Sequence, residues 1–329
     1  MSKLAILALL AAAPLAAQVT FLDPAAEALF AVDAKVETLA DDLGFCEGPV
    51  WLRSRGELVF SDIPRNRWLR WTARDGVVEW KPSAGANGNA VDRDGRLLSC
   101  QHGDRNLVRH EADGSLTVLV FEHAGKRLNS PNDVAVHRDG SIWFTDPTYG
   151  LGKREREQAG NFVYRFEPRT GAVRAMLTEG FAQPNGICFS PDHRRVYVAD
   201  SGAPASKSAP GERVGAFDVR ADGTVAAAVF WLEGAADGMR CDAGGNLYTT
   251  ARDGLRVYAP DGKLLARVAL PEIPTNCTFG GADGNELFVT ARRHLYRIVM
   301  RTKGAELPPP PEPASPSPPP ERPIRGPGD

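Results

Sequence analysis

Six segments of one design recur along the chain, and a repeat of this kind restricts the fold more than any other feature of the sequence. They begin "EGPVWLRSRGELVFSDI" (47–63), "GNAVDRDGRLLSCQ" (88–101), "NDVAVHRDGSIWFTDP" (132–147), "NGICFSPDHRRVYVADS" (185–201), "DGMRCDAGGNLYTTA" (237–251) and "NCTFGGADGNELFVTA" (276–291). With Glu47, Asn89, Asn132, Asn185, Asp237 and Asn276 as openers, successive steps run from 39 to 53 residues. Within each unit, two short runs flank a turn such as Arg-Asp-Gly, Gly-Gly-Asn or Asp-Gly-Asn, whose residues tolerate the positive φ of a tight hairpin. Further runs split by Gly-containing turns follow, as in "FVYRFEPRTGAVRAML" and "LRVYAPDGKLLARVAL", giving four strands per unit.

Six units of four antiparallel strands, with almost no helical periodicity, predict an all-β fold: a six-bladed β-propeller whose inner strands start at a central channel. The sixth unit runs out after "HLYRIVM" (294–300) with three strands, while "AKVETLADDL" (34–43) is an orphan strand before the first unit. The N-terminal strand is therefore expected to complete the last blade and close the ring. A β-sandwich does not explain a polar opener at one place per repeat. A parallel α/β fold needs amphipathic helices between strands, and none alternate here.

The ends differ from the middle. Residues 1–17 have one lysine, an apolar run broken by Pro14, and Ala16-Ala17, the layout of a signal peptide cleaved near Ala17-Gln18 and too short for a membrane span. A periplasmic or secreted mature protein without a membrane span is expected, with residues 18–33 as a lead-in and 34–302 as the propeller. From Leu307 onward lie 11 of the 26 prolines, so 303–329 is expected to be a disordered Pro-rich tail, or else a ligand docking a proline-reading protein partner. The net charge of −2 carries no basic surplus, which argues against nucleic acid as a partner. Five cysteines without a C-x-x-C pair read as small buried thiols, although export leaves one bridge open.

A polar residue at the start of a buried strand must be paired or pay desolvation. One reading is that the openers cap strand ends, as Asn and Asp do readily. The other is that Glu47, Asn132, Asn185 and Asp237 aim at the shared axis and form a ring of oxygen ligands. Two carboxylates and two amide carbonyls, with no thiolate or imidazole, suit a hard divalent metal, Ca²⁺ first, with Zn²⁺, Mg²⁺ or Mn²⁺ as alternatives.

The segments "CEGPVW", "RLNSPNDVAVHRDGSIWFTDPTYG", "QPNGICFSPDHRRVYVADS" and "DGMRCDAGGNLY" resemble the signature segments of the gluconolactonase/regucalcin (senescence marker protein) family, also related to diisopropylfluorophosphatase. The resemblance spans roughly residues 35–300 and implies a six-bladed propeller with a divalent cation in its channel. It implies metal ligation by Glu47, Asn185 and Asp237, with Asn132 as a fourth ligand or a substrate contact. Where the regucalcin branch carries a sugar-binding Arg, two residues before Asn132, this chain has Ser130; Gln101 stands where an acid is expected.

The expected activity is metal-dependent hydrolysis of a small-molecule sugar lactone, the cation polarising the carbonyl and activating water. Asp237 is the first candidate for the general base. His102, just after the second strand of blade two, is the histidine at the site mouth, expected to bind substrate or orient water. His110, His123, His137, His193 and His294 are expected at the surface. Asp146 and Asp200, which end their second strands, read mainly as strand-end partners. No G-x-S-x-G, H-E-x-x-H or G-x-x-x-x-G-K is present, so serine-hydrolase, zinc-protease and nucleotidase readings lose their support. The alternatives are a phosphotriester or aryl-lactone hydrolase on the same cation, and a non-catalytic ligand-binding propeller with structural Ca²⁺.

Overall fold

The computed structural model describes residues 15–16, 18–31, 33–202, 211–234 and 237–306. Most of the expected leader and the chain from residue 307 lie outside the described residues.

The ladders form six antiparallel sheets arranged as blades. Blade one pairs Cys46–Leu52, Glu57–Asp62, Arg67–Thr72 and Gly76–Pro82 in sequence order. Blades two to five repeat this meander, with inner strands Ala86–Val91, Val134–Val136, Pro184–Phe189 and Met239–Cys241. Blade six has Asn276–Gly280, Glu286–Ala291 and His294–Val299, and its fourth strand is Lys35–Ala40 from the N-terminal side. Tyr296 pairs with Thr38 and Arg297 with Glu37, so the ring closes as the orphan strand predicts. Each inner strand touches the next, and that of blade six touches that of blade one.

Strand patterning explains where the core lies. A blade in the ring is covered on both faces, so its inner strands are buried on both sides rather than alternately. Six buried clusters result, each shared by two neighbouring blades. Leu58, Phe60 and Trp71 of blade one meet Phe288 and Leu295 of blade six, while Phe144 and Tyr164 of blade three meet Leu98 and Leu107 of blade two. All five cysteines are free thiols inside these clusters, where they act as compact hydrophobes.

The lead-in contributes more than a connection. Gln18–Phe21 adds a fifth strand to blade five, with Val19 opposite Val268, and the short 3-10 turn Pro24–Ala28 is capped by the Asp23 side chain. Ala26 and Phe30 then bury in the cluster between blades five and six. Covering an outer strand in this way removes an exposed sheet edge.

Three histidines depart from the surface expectation. His110 is buried, packed edge-on against Trp68 with ring centroids 4.7 Å apart, stacked on Trp80, and linked to Ser99 Oγ at 3.0 Å. His137 and His193 are buried together in adjoining hairpin turns, where the His137 ring reaches the His193 carbonyl at 3.1 Å. A turn in this fold packs against the neighbouring blade's turn, so a hairpin position does not imply exposure.

Candidate active site

The start of every inner strand reaches one mouth of the channel, around a cavity of about 420 Å³. Glu47, Asn132, Asn185 and Asp237, from blades one, three, four and five, all line it, as does His102. Blades two and six also contribute, but through Asn87 and Thr275 rather than Asn89 and Asn276. The expected openers of those two blades were therefore displaced, by two residues and by one. The discriminating signal is the residue that follows: Glu47-Gly48, Asn87-Gly88, Asn185-Gly186 and Asp237-Gly238 share an X-Gly step.

That glycine is needed because the blades converge here. A Cβ on Gly186 would overlap the Asp237 carbonyl, and one on Gly238 would overlap the Asn276 amide. Gly186 N–H in fact donates to Asp237 O at 3.0 Å, and Gly88 N–H to Asn132 O at 2.8 Å, stitching blade to blade. Hydroxyls add to the ring: Ser61 and Thr145, on second strands, donate to Asn87 O and Asn185 O (both 2.7 Å), and Thr275, just before the inner strand of blade six, donates to Cys46 O (2.6 Å). Blade-to-blade bonds thus fix the backbone of the cavity-lining residues, leaving their side chains free to meet a ligand.

Pro131-Asn132-Asp133 shows how the work is divided. The Asn132 side chain faces the cavity, with no hydrogen-bond partner among the described residues. Asp133 turns into the wall, accepting from Val134 N–H (2.9 Å) and from Ile187 N–H of blade four (3.2 Å). Asn185 donates to Ser201 Oγ (2.9 Å), and its nearby amide favours the charged form of Asp237. Glu47 Oε2 accepts from Gly48 N–H (2.8 Å) and from Asn276 Nδ2 (3.0 Å), so Asn276 holds the ligand-bearing acid of the neighbouring blade. Asp146 and Asp200 serve strand ends as expected. Asp146 accepts from the Asn129 and Ser130 amides, both at 2.8 Å, and Asp200 accepts from Ala182, Gln183 and Gly202.

Electrostatics mark the two acids. Burial, with the negative charge of Asp237 next, pushes the Glu47 carboxyl well above the usual range. Burial, with Asp133 as a further cause, pushes Asp237 up to about 7. Neither acid has a cationic partner among the described residues. Arg240, which lines the opposite opening of the channel, acts on Asp133 instead. A buried acid, a half-buried acid and two amides around one cavity, lacking a countercharge, fit a divalent cation bound through oxygen. No group of three or more His, Cys, Asp or Glu placed to hold a metal ion occurs among the described residues.

His102 follows the second strand of blade two, with Nε2 3.2 Å from the Asn87 amide. Burial and the Arg154 charge push it down to about 4, so the ring is neutral at physiological pH. Gly150 packs directly on that ring, where any side chain would collide. The Arg154 guanidinium ties the loop down through the carbonyls of His102 (2.9 Å) and Gly103 (2.5 Å). Tyr149, in the same loop, lines the cavity beside Ser201 and Asn185; a single tyrosine after "FTDPT" gave no sequence signal for this.

Fold and site together define a six-bladed propeller with an acid- and amide-lined centre at one channel mouth. The chain belongs to the family described as SMP-30/Gluconolactonase/LRE-like region, which matches residues 45–293. It is 31% identical over 319 residues to a gluconolactonase of Zymomonas mobilis, covering 87% of each chain. A solved gluconolactonase of Xanthomonas campestris is 36% identical with a TM-score of 0.79, covering 88% of this chain and 98% of that one. A structure of a calcium-binding protein, regucalcin, from Agrobacterium tumefaciens shares the fold at a TM-score of 0.65 and 21% identity, covering 83% of this chain and 96% of that one.

Proposed function

We propose that this chain is a metal-dependent lactonase that opens a sugar-type lactone to the hydroxy acid. The observation that carries this reading is the pair Glu47 and Asp237: one buried and one half-buried acid on one cavity without a countercharge, flanked by Asn132 and Asn185. The gluconolactonase relatives support the same reaction class. Those four residues would hold the cation, with Ca²⁺ favoured by the all-oxygen set and by the calcium-binding description of the Agrobacterium relative. When bound, the cation supplies Lewis-acid polarisation of the lactone carbonyl.

The chain's own residues supply the rest. Asp237 keeps partial access to the cavity and takes the proton of the attacking water, whose oxygen forms the new bond to the carbonyl carbon. The ring C–O bond then breaks, and the proton passes to the departing alkoxide. Asn185 orients Asp237 through its amide. His102, neutral and weakly basic, is a hydrogen-bonding residue that positions substrate with Asn87 rather than a proton acceptor. Residues 1–17 fit an export signal, which supports a periplasmic or secreted location for the mature enzyme. Mass analysis of the exported protein tests this, and retention of Met1 would contradict it.

The test of function is acid release from glucono-1,5-lactone and a small lactone panel, before and after chelation, with Ca²⁺ or Zn²⁺ restored. Turnover that is lost on chelation, recovered with metal and absent in Glu47→Gln is expected. Full turnover after chelation would overturn the metal-dependent mechanism, and no turnover on any lactone would overturn the lactonase.

A further inference from the structure

The cavity walls are not uniform around the ring. Blades two to five present Asn87, His102, Asn132, Asn185 and Asp237, whereas blades six and one add, beside Glu47, Thr275 and Arg292, the four apolar residues Phe45, Ile63, Ile273 and Pro274. These four residues come from neighbouring blades, and Ile63 N–H donates to Phe45 O at 3.1 Å, so they form one apolar sector. Phe45 is 37% exposed although it stands at the edge of a polar site. A large apolar side chain left open beside a binding cavity is informative where an isolated surface one is not.

Two more observations bear on what the sector meets. The cationic lining residues are already engaged: Arg252 makes a two-pronged pair with Glu212 (3.2 and 2.5 Å), and Arg292 lies 3.8 Å from Glu272. Arg252 is therefore committed to Glu212 rather than left open to a ligand. The cavity, at about 420 Å³, also falls in the range of about 300–1,000 Å³ that houses drug-sized ligands, so it has room beyond one small ring.

We infer that the preferred substrate is a lactone bearing an apolar substituent, its ring at the acid-lined floor and its substituent against Phe45, Ile63 and Ile273. The inference rests on the lactonase reading and narrows its substrate class. A hydroxylated face would be held by Asn87 and His102, whereas Phe45, Ile63, Ile273 and Pro274 offer no side-chain group that can bond a hydroxyl. Apolar contact there discriminates at about 10- to 200-fold per methylene in a well-formed pocket.

The experiment compares three lactones of one ring size on the metal-loaded full chain: glucono-1,5-lactone, δ-valerolactone and its 5-pentyl derivative. The expected kcat/KM for the pentyl lactone exceeds that of both others by at least about tenfold. Phe45→Ser and, separately, Ile273→Ser should lower the pentyl-to-valerolactone ratio; because the ratio is taken within one variant, partial misfolding cancels. Preference for glucono-1,5-lactone, or a ratio unmoved in both variants, overturns the inference while leaving the lactonase standing. Loss of turnover on every lactone overturns both.

Discussion

Asn132 and Asn89 are the same side chain in neighbouring blades, and they do opposite work. Every polar atom of the Asn89 amide is spent in the wall: Oδ1 accepts from Trp68 Nε1 (3.2 Å) and Ser99 Oγ (2.5 Å), and Nδ2 donates to Gly48 O (2.8 Å), Ser61 Oγ (2.9 Å) and Asn87 O (3.1 Å). The Asn132 amide faces the cavity with no such partner among the described residues. Asn276 lies between these extremes, in the wall yet bonded to Glu47. A buried amide with every partner satisfied is structure, whereas one left open toward a cavity is available to a ligand.

This contrast can be broken most severely at the acids. Asp237→Asn keeps the shape of the side chain but removes a charge and the proton acceptor, so turnover should fall by more than about 100-fold, with weaker metal binding. Steady-state kinetics on the lactone panel check this, and full activity in the variant would refute the role of Asp237. One step outward, Asn276→Ala frees Glu47 from its partner. By analogy with residues that orient metal ligands, metal affinity should drop about 10- to 100-fold while the fold persists. Calorimetric titration with Ca²⁺ measures it.

Asn89→Ala should show the reverse pattern. It strands Trp68 Nε1 in a dry wall, at a cost of about 1–3 kcal/mol, while the Ser61 and Ser99 hydroxyls keep Asn87 O and His110 as partners. Chemical denaturation should register the loss, with calcium affinity of the folded fraction little changed. An Asn89 variant that loses metal but not stability would erase the distinction between wall and cavity.

The smallest expected effect concerns the buried imidazoles. Burial pushes His110 from 6.5 down to about 3 and His193 down to about 4. With the folded value depressed, the unfolded chain binds the proton first as pH falls. The stability contributed by each neutral ring is therefore present above pH 6.5 and is lost as pH drops toward the folded value. Thermal denaturation of the parent and of His110→Gln, from pH 7 to pH 4.5, should show a shallower pH slope in the variant; parallel slopes would contradict a buried neutral His110.

The architecture was legible because the repeat carries it: one hairpin turn per unit, polar openers, and a missing last strand that only the N-terminus could supply. The blade register was less legible. In blade two, "ANGNAV" offers two candidates that only the glycine after Asn87 separates, and in blade six, "TNCTFG" carries no such glycine to mark Thr275 over Asn276. His110, His137 and His193 were misplaced because burial depends on the blade packed alongside, which local pattern does not encode. Tyr149 and the apolar sector were not legible at all, since both arise from loops that sequence separation keeps apart and the ring brings together.

The account stands on Glu47, Asn132, Asn185 and Asp237 sharing one cation. A crystal structure of the chain grown with Ca²⁺, with the metal located by anomalous scattering, tests this most directly. One calcium at the mouth of the channel, with oxygens of all four side chains at about 2.3–2.6 Å, is the predicted result. A calcium held elsewhere, or a mouth that stays empty at saturating Ca²⁺, would contradict it.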